Sequence, residues 1–213
     1  MTAQDRKKNS DNYLKKLNIP VNSHLPQIEE EDEVIIRSGQ DIAKRILILT
    51  YLNVVGEGGD KNKIIDFLKK EELWDDVSGD EKDLLKKSKL TKKDKINLSW
   101  RSEGIWLMLW AINKVEHLDL PTTQCVINDI LNRLPEFLAP PKEFIEAAIV
   151  RPAAAILDMS DLMYRIHWAT RQGELDGKEI PANLEHSIVY ERHYAINWIT
   201  YYEENWDDVT TDT

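Results

Sequence analysis

Apolar residues recur along this chain at the three- and four-residue spacing of helices, and polar punctuation marks where each helix begins. Ile42, Ile46, Leu49 and Leu52 share one helical face, with Ser38 and Asp41 ahead of them as a capping box and Gly56, Gly58 and Gly59 behind. Asp60 is placed to cap residues 61–70, which carry Ile64, Ile65 and Leu68. Ser78 with Glu81 caps 79–88 in the same way. Thr91 with Asp94 opens the longest pattern, which runs to about Val115. Its apolar positions (Ile96, Trp100, Trp106, Leu107, Trp110, Ala111) broaden past one stripe after Arg101, so the helix enters at the surface and finishes in the interior.

Further helices are predicted over 121–134, stopped by Pro135, and over 142–151 after Pro140-Pro141. Another runs from Pro152 to about Arg171, and the last from about Leu184 to Tyr202. Near the N-terminus, 11–17 reads as a short lysine-rich helix before a loop with Pro20 and Pro26, and the acidic run 29–33 follows. Val34-Ile35-Ile36 is the best strand candidate. The expected fold is all-α: a single globular domain of roughly eight helices, with a short strand near 33–37 as the one exception. The expected division is an N-terminal arm over 1–30 and a helical domain over 31–213.

Composition supports this and narrows the chemistry. Hydrophobic residues at 42% and charged residues at 31% of 213 are globular values, and eight glycines with eight prolines disfavour an all-β architecture rich in turns. The single cysteine, Cys125, rules out an internal disulfide framework and fits a reducing compartment; in its apolar stretch it reads as a small buried hydrophobe. The polar N-terminus has no signal-peptide pattern, and no apolar run reaches the ~20 residues of a membrane span. A cytoplasmic protein is expected, off the membrane.

Charge is uneven. The net charge is -10, yet residues 1–100 balance 19 basic against 19 acidic residues, whereas 101–213 hold 9 against 19. An acidic second half argues against nucleic-acid binding and makes a basic protein the expected partner. Basic residues also change type, from sixteen Lys and three Arg to three Lys and six Arg. Arginines beside tryptophans in the second half suggest fixed ion pairs in an aromatic interior.

Three constellations carry candidate chemistry. Asp161 and Arg165 stand four apart on one helical face, followed by His167 and Trp168. Arg192 precedes Asn197 and Trp198 on the last helix. Arg101 and Glu103 flank Ser102 near Gly104, where small side chains allow a close helix crossing. The tail Trp206-Asp207-Asp208 is too aromatic for a loose end: Trp206 is expected to dock into the core, with Asp207 or Asp208 meeting Arg101, Arg165 or Arg192. Together these residues form either a polar pocket or a structural network of interhelical bonds. No ligand spacing for a metal, no phosphate-cradling glycine loop and no Gly-x-Ser-x-Gly elbow is present, so no metal, cofactor or catalytic residue is assigned.

The stretches Trp100–Ala111, Asp161–Ala169 and Glu191–Trp198, with the ending Trp206-Asp207-Asp208-Val209, resemble bacterial proteins grouped as domain of unknown function 4272. The likeness spans roughly 34–213. It implies a mostly helical bacterial cytosolic protein and brings no catalytic assignment. The expected function is a non-catalytic protein-interaction or accessory module with an acidic surface. The alternative is a binder or enzyme acting on a small anionic ligand in an Arg/His/Trp-lined pocket.

Overall fold

Side-chain oxygens open the first five helices. Thr2, Ser38, Asp60, Ser78 and Thr91 each accept a hydrogen bond from a backbone N–H of the turn ahead, an interaction whose loss costs about 1 kcal/mol. The helices they start are α1 (Ala3–Lys16), α2 (Gly39–Gly56), α3 (Lys61–Lys70), α4 (Gly79–Lys86) and α5 (Lys92–Ala111). Two short helices follow, α6 (Ile127–Leu131) and α7 (Lys142–Glu146), then the long α8 (Ala153–Leu175) and α9 (His186–Ile199). Single 3₁₀ turns lie at Pro181–Asn183 and Trp206–Asp208. The computed structural model describes residues 1–213, the side chain of Pro181 excepted, as one all-α domain.

The main helices pack in the order α2, α5, α9, α8, α1, with α5 and α9 in the middle. This is why α5 loses its single stripe: Leu107, Met108, Leu109, Trp110 and Ala111 are all buried, because its C-terminal half has neighbours on every side. Between α5 and α9 the crossing is close at Gly104, where an added Cβ would sit 3.4 Å from the Ala195 Cβ and 3.5 Å from the Glu191 carbonyl oxygen. Large aliphatic residues of α2 (Ile42, Ile46, Ile48, Leu49) fill the other side of α5. Each contributes about 1.5–3 kcal/mol by leaving water.

Several elements differ from their sequence expectation. No strand forms over 34–36 among the described residues; Ile35 is 70% exposed. The following residue is pinned to the end of α9 instead, where the Arg37 N–H donates to the Ile199 carbonyl (3.0 Å). Helix α1 is fourteen residues long and docks on α8; the Thr2–Asp5 capping box starts it well before residue 11.

Helix α6 covers less of its predicted range because the backbone ahead of it is already engaged. The Pro121 carbonyl accepts from Glu185 N–H (2.8 Å), and Cys125 N–H donates to Glu103 (2.5 Å). Helix α7 stops early for a similar reason. Arg151 N–H reaches the Ala111 carbonyl (2.8 Å), and its guanidinium donates to the carbonyls of Trp110 and Val115, satisfying the open end of α5. No helix is long and apolar enough to cross a membrane among the described residues.

Candidate functional site

Arg192 projects from α9 toward α5 and meets Glu103. Its Nε–H donates to Glu103 Oε2 (3.0 Å), Nη2 lies 3.0 Å from the same oxygen, and Nη1 donates to the Asp119 carbonyl (2.6 Å). The other Glu103 oxygen takes the Cys125 N–H. Glu103 is fully buried and Arg192 is 2% exposed, so the charge pair is closed from solvent, with both carboxylate oxygens partnered. Burial and the Glu103 carboxylate together push the half-buried Cys125 thiol up to about 12. That holds it protonated and unreactive.

Arg101, two positions before Glu103 and more exposed, pairs with Glu191 (3.3 Å). Burial raises the Glu191 carboxyl above its ordinary value, and Arg101 offsets part of that rise.

The second pair lies on α8. Arg165 donates to both oxygens of Asp161, Nε to Oδ2 at 2.9 Å and Nη2 to Oδ1 at 2.7 Å, as four-residue spacing on one helical face allows. Nη2 also reaches the Pro26 carbonyl (3.2 Å), and the Asp11 carboxylate lies 3.7 Å from Nε. Arg165 is 1% exposed, so it ties α1 and the 18–37 loop to α8 from within. Its Nη1 has no partner among the described residues.

His167 and His193 meet between α8 and α9 with their Nδ1 atoms 2.8 Å apart. Such a contact requires one ring to donate and the other, which must be neutral, to accept. Burial, reinforced by His186 and Arg171, lowers His167 to about 4; burial and His167 lower His193 to about 3. Trp168 is half-buried against the apolar core and lines none of the cavities described here.

The tail closes over α9. Trp206 is buried edge-on against Tyr194 and Trp198, with ring centroids 4.9 and 5.5 Å apart. The Tyr194 hydroxyl donates to the Trp206 carbonyl, and the Asn197 amide to the Thr210 carbonyl (2.9 Å). Asp207, however, pairs with no arginine among the described residues. Its carboxylate accepts from Asp80 N–H (2.9 Å) at the start of α4, where free N–H groups and the helix dipole attract an anion. The three expected arginine partners are unavailable to it, because Arg101, Arg165 and Arg192 hold carboxylates of their own.

Arg101 does meet the tail through the Trp206 ring, 5.6 Å from its centroid, and two arginines that the sequence did not single out, Arg37 and Arg45, pack there as well. The Arg37 guanidinium lies between the rings of Trp198 and Tyr201, 4.2 and 3.7 Å from their centroids, and donates to the carbonyls of Trp198, Glu203 and Glu204. Arg45 donates to both oxygens of Glu81 (2.9 and 2.8 Å) beneath the Trp206 ring. The sequence offered one signal for Arg45, a cation inside the apolar run of α2. For Arg37 it offered none.

Around these two arginines opens a cleft of about 490 Å³, rimmed by Asp41, Asp75, Asp76, Glu204, Asp207 and Asp208. No group of three or more His, Cys, Asp or Glu side chains is arranged to hold a metal ion among the described residues.

A family model described as "Domain of unknown function (DUF4272)" matches residues 6–209. The chain belongs to this family. The DUF4272 match takes in Arg6 of α1 and the buried pairs Arg45–Glu81, Asp161–Arg165 and Glu103–Arg192, and reaches Val209 just past the docked Trp206. No curated protein and no solved structure matches the chain.

Proposed function

We propose that this chain is a non-catalytic binding module that receives a basic segment of a protein partner in the acidic cleft. One observation carries the reading: six carboxylate residues rim the cleft, while both arginines in it are already engaged with Glu81, backbone carbonyls and aromatic rings. The surplus is negative, and a lysine or arginine side chain is the group that complements it. The faces of Trp198 and Tyr201 are taken by Arg37, so the attraction for an incoming cation rests on the carboxylates of the rim. The setting in this reading is the bacterial cytoplasm, where a lone thiol stays reduced. An anionic ligand finds less support, because Arg165 and Arg192 are sealed against their carboxylates.

The test is titration of a lysine/arginine-rich peptide, followed by tryptophan fluorescence. Asp75→Asn combined with Glu204→Gln should weaken binding about tenfold or more, as expected for losing interfacial charge complementarity. Glu116→Gln with Glu143→Gln removes equal charge from elsewhere and should leave affinity nearly unchanged. Equal losses from both pairs would reduce the effect to net charge and sink the reading.

A further inference from the structure

A second cavity, of about 230 Å³, lies between α8 and α9 and is covered by the 26–29 loop and the tail. Ser160 and Tyr164 line it from α8, one helical turn apart, and His193 and Asn197 line it from α9 with the same spacing. The side chains of Ser160, His193 and Asn197 are more than nine-tenths buried.

Their bonding capacity is only partly used. The Asn197 amide nitrogen donates to the Thr210 carbonyl, an acceptor only, which fixes the amide's orientation and leaves its oxygen as the free group. The His193 Nδ1 is held by His167, leaving Nε2. The Ser160 and Tyr164 hydroxyls have no partner among the described residues. Three of these residues are buried and Tyr164 is half-buried, so their spare bonding capacity faces the space between the helices and is open to a ligand that enters it.

Charge decides what kind of occupant. Glu29 and Asp212 are the charged residues among those lining the cavity, both acidic, and no lysine or arginine joins them. The guanidinium of Arg165, next in sequence to Tyr164, is committed to Asp161 and the Pro26 carbonyl. With the His193 proton on Nδ1, the acceptors offered include an amide oxygen, an imidazole nitrogen, two hydroxyl oxygens and two carboxylates. An ammonium group satisfies such a set, since it brings three donors and a positive charge.

We propose that this cavity is a binding site for a small organic amine, held by Ser160, Tyr164, His193 and Asn197 with Glu29 and Asp212 at its mouth. The His193 tautomer with Nδ1–H directed to His167 presents a bare Nε2 to the ammonium, and the low basicity of the buried pair keeps that nitrogen free of a competing proton. At ~30 Å³ per water, 230 Å³ holds about seven or eight waters, or an amine of comparable bulk.

Three four-carbon probes separate the possibilities: putrescine, butanediol and succinate, each titrated calorimetrically into the full chain. Putrescine should bind, and butanediol and succinate should bind at least about tenfold more weakly, the difference one charge-assisted hydrogen bond makes. Ser160→Ala and Tyr164→Phe, which leave the packing intact, should each weaken putrescine by a similar factor without lowering the melting temperature of the free protein. The Asp75→Asn/Glu204→Gln cleft variant should bind putrescine as wild type does, so this site stands or falls apart from the cleft. Four results would overturn the proposal: no binding of any probe, which means the cavity holds water only; equal binding of all three; loss of putrescine binding in the cleft variant; or unchanged binding in Ser160→Ala and Tyr164→Phe.

Discussion

Helix α9 presents two polar faces that are built on opposite principles, and neighbouring residues divide them. Toward α5, Arg192 meets Glu103, and both carboxylate oxygens, a loop N–H and a loop carbonyl are joined in one buried network. Toward α8, His193 meets His167 through a single shared contact, and the rest of that face opens onto a cavity. The first arrangement locks two helices and the 119–125 segment together. The second leaves neutral, half-used groups beside space. A closed charge network fixes structure, and an open neutral one is available for a ligand.

The α5 face is the one whose rupture costs most. Arg192→Ala should destabilise the fold by about 3–5 kcal/mol, because it strands the Glu103 carboxylate in the interior. Replacing both partners, as Glu103→Leu with Arg192→Met, should recover most of that loss, since the strand of cost is the unpaired charge rather than the missing pair. Urea unfolding of the two variants beside wild type measures the difference. If the double variant is as unstable as Arg192→Ala, the Cys125 N–H and Asp119 carbonyl contacts outweigh the ion pair, and the network reading must shift to the loop.

Acid acts on the other face. Both imidazoles titrate lower in the fold than the ordinary value near 6.5: His167, faced by His186, Arg171, Tyr190 and His193, at about 4, and His193, faced by Tyr164 and His167, at about 3. The unfolded chain therefore takes up protons first. The stability these groups contribute is whole above about pH 6.5 and falls as the pH drops toward 4, then 3, at a rate on the order of 1 kcal/mol per pH unit for each. The interval from about pH 6.5 to 5 isolates the histidines from ordinary carboxylates. A urea midpoint that stays flat across it would mean the pair is solvated in solution, and the contrast between the two faces would collapse.

Features set by local spacing or residue type were easier to read from sequence than those that join distant segments, on the closed face as on the open one. Asp161 and Arg165 announce themselves by four-residue spacing, and Trp206 by being too apolar for a terminus; both are where their residue types require. Capping residues placed α2 to α5 with little error, because a cap is a local bond. What stayed hidden depends on distant partners. Glu103 and Arg192 are 89 positions apart, and Asp207 found a helix N-terminus rather than an arginine. The cleft arose from Arg37 and Arg45, which lie in a half of the chain whose charges balance. The cavity arose from Ser160 and Tyr164, which no motif marks. Helices α6 and α7 are short for the same reason: their flanking backbone was already engaged by Glu103 and Arg151, a competition that apolar spacing does not register.

The smallest effect tests how tightly the closed face is drawn. Gly104 sits inside α5 where α9 crosses, and its sequence context suggests a residue kept small for contact. An added Cβ would meet Ala195 Cβ at 3.4 Å and the Glu191 carbonyl oxygen at 3.5 Å, which is ordinary van der Waals contact. Glycine in a helix interior, meanwhile, costs ~1 kcal/mol relative to alanine through the freedom it loses on folding. Gly104→Ala should therefore be neutral or stabilising by up to about 1 kcal/mol, while Gly104→Val, whose two methyls extend beyond that gap, should destabilise through overpacking by about 1–3 kcal/mol. A clear loss of stability in Gly104→Ala, measured by the urea midpoint, would show that the α5 face tolerates no added atom at all. The Glu103–Arg192 pair would then owe its closure to helix spacing as much as to charge.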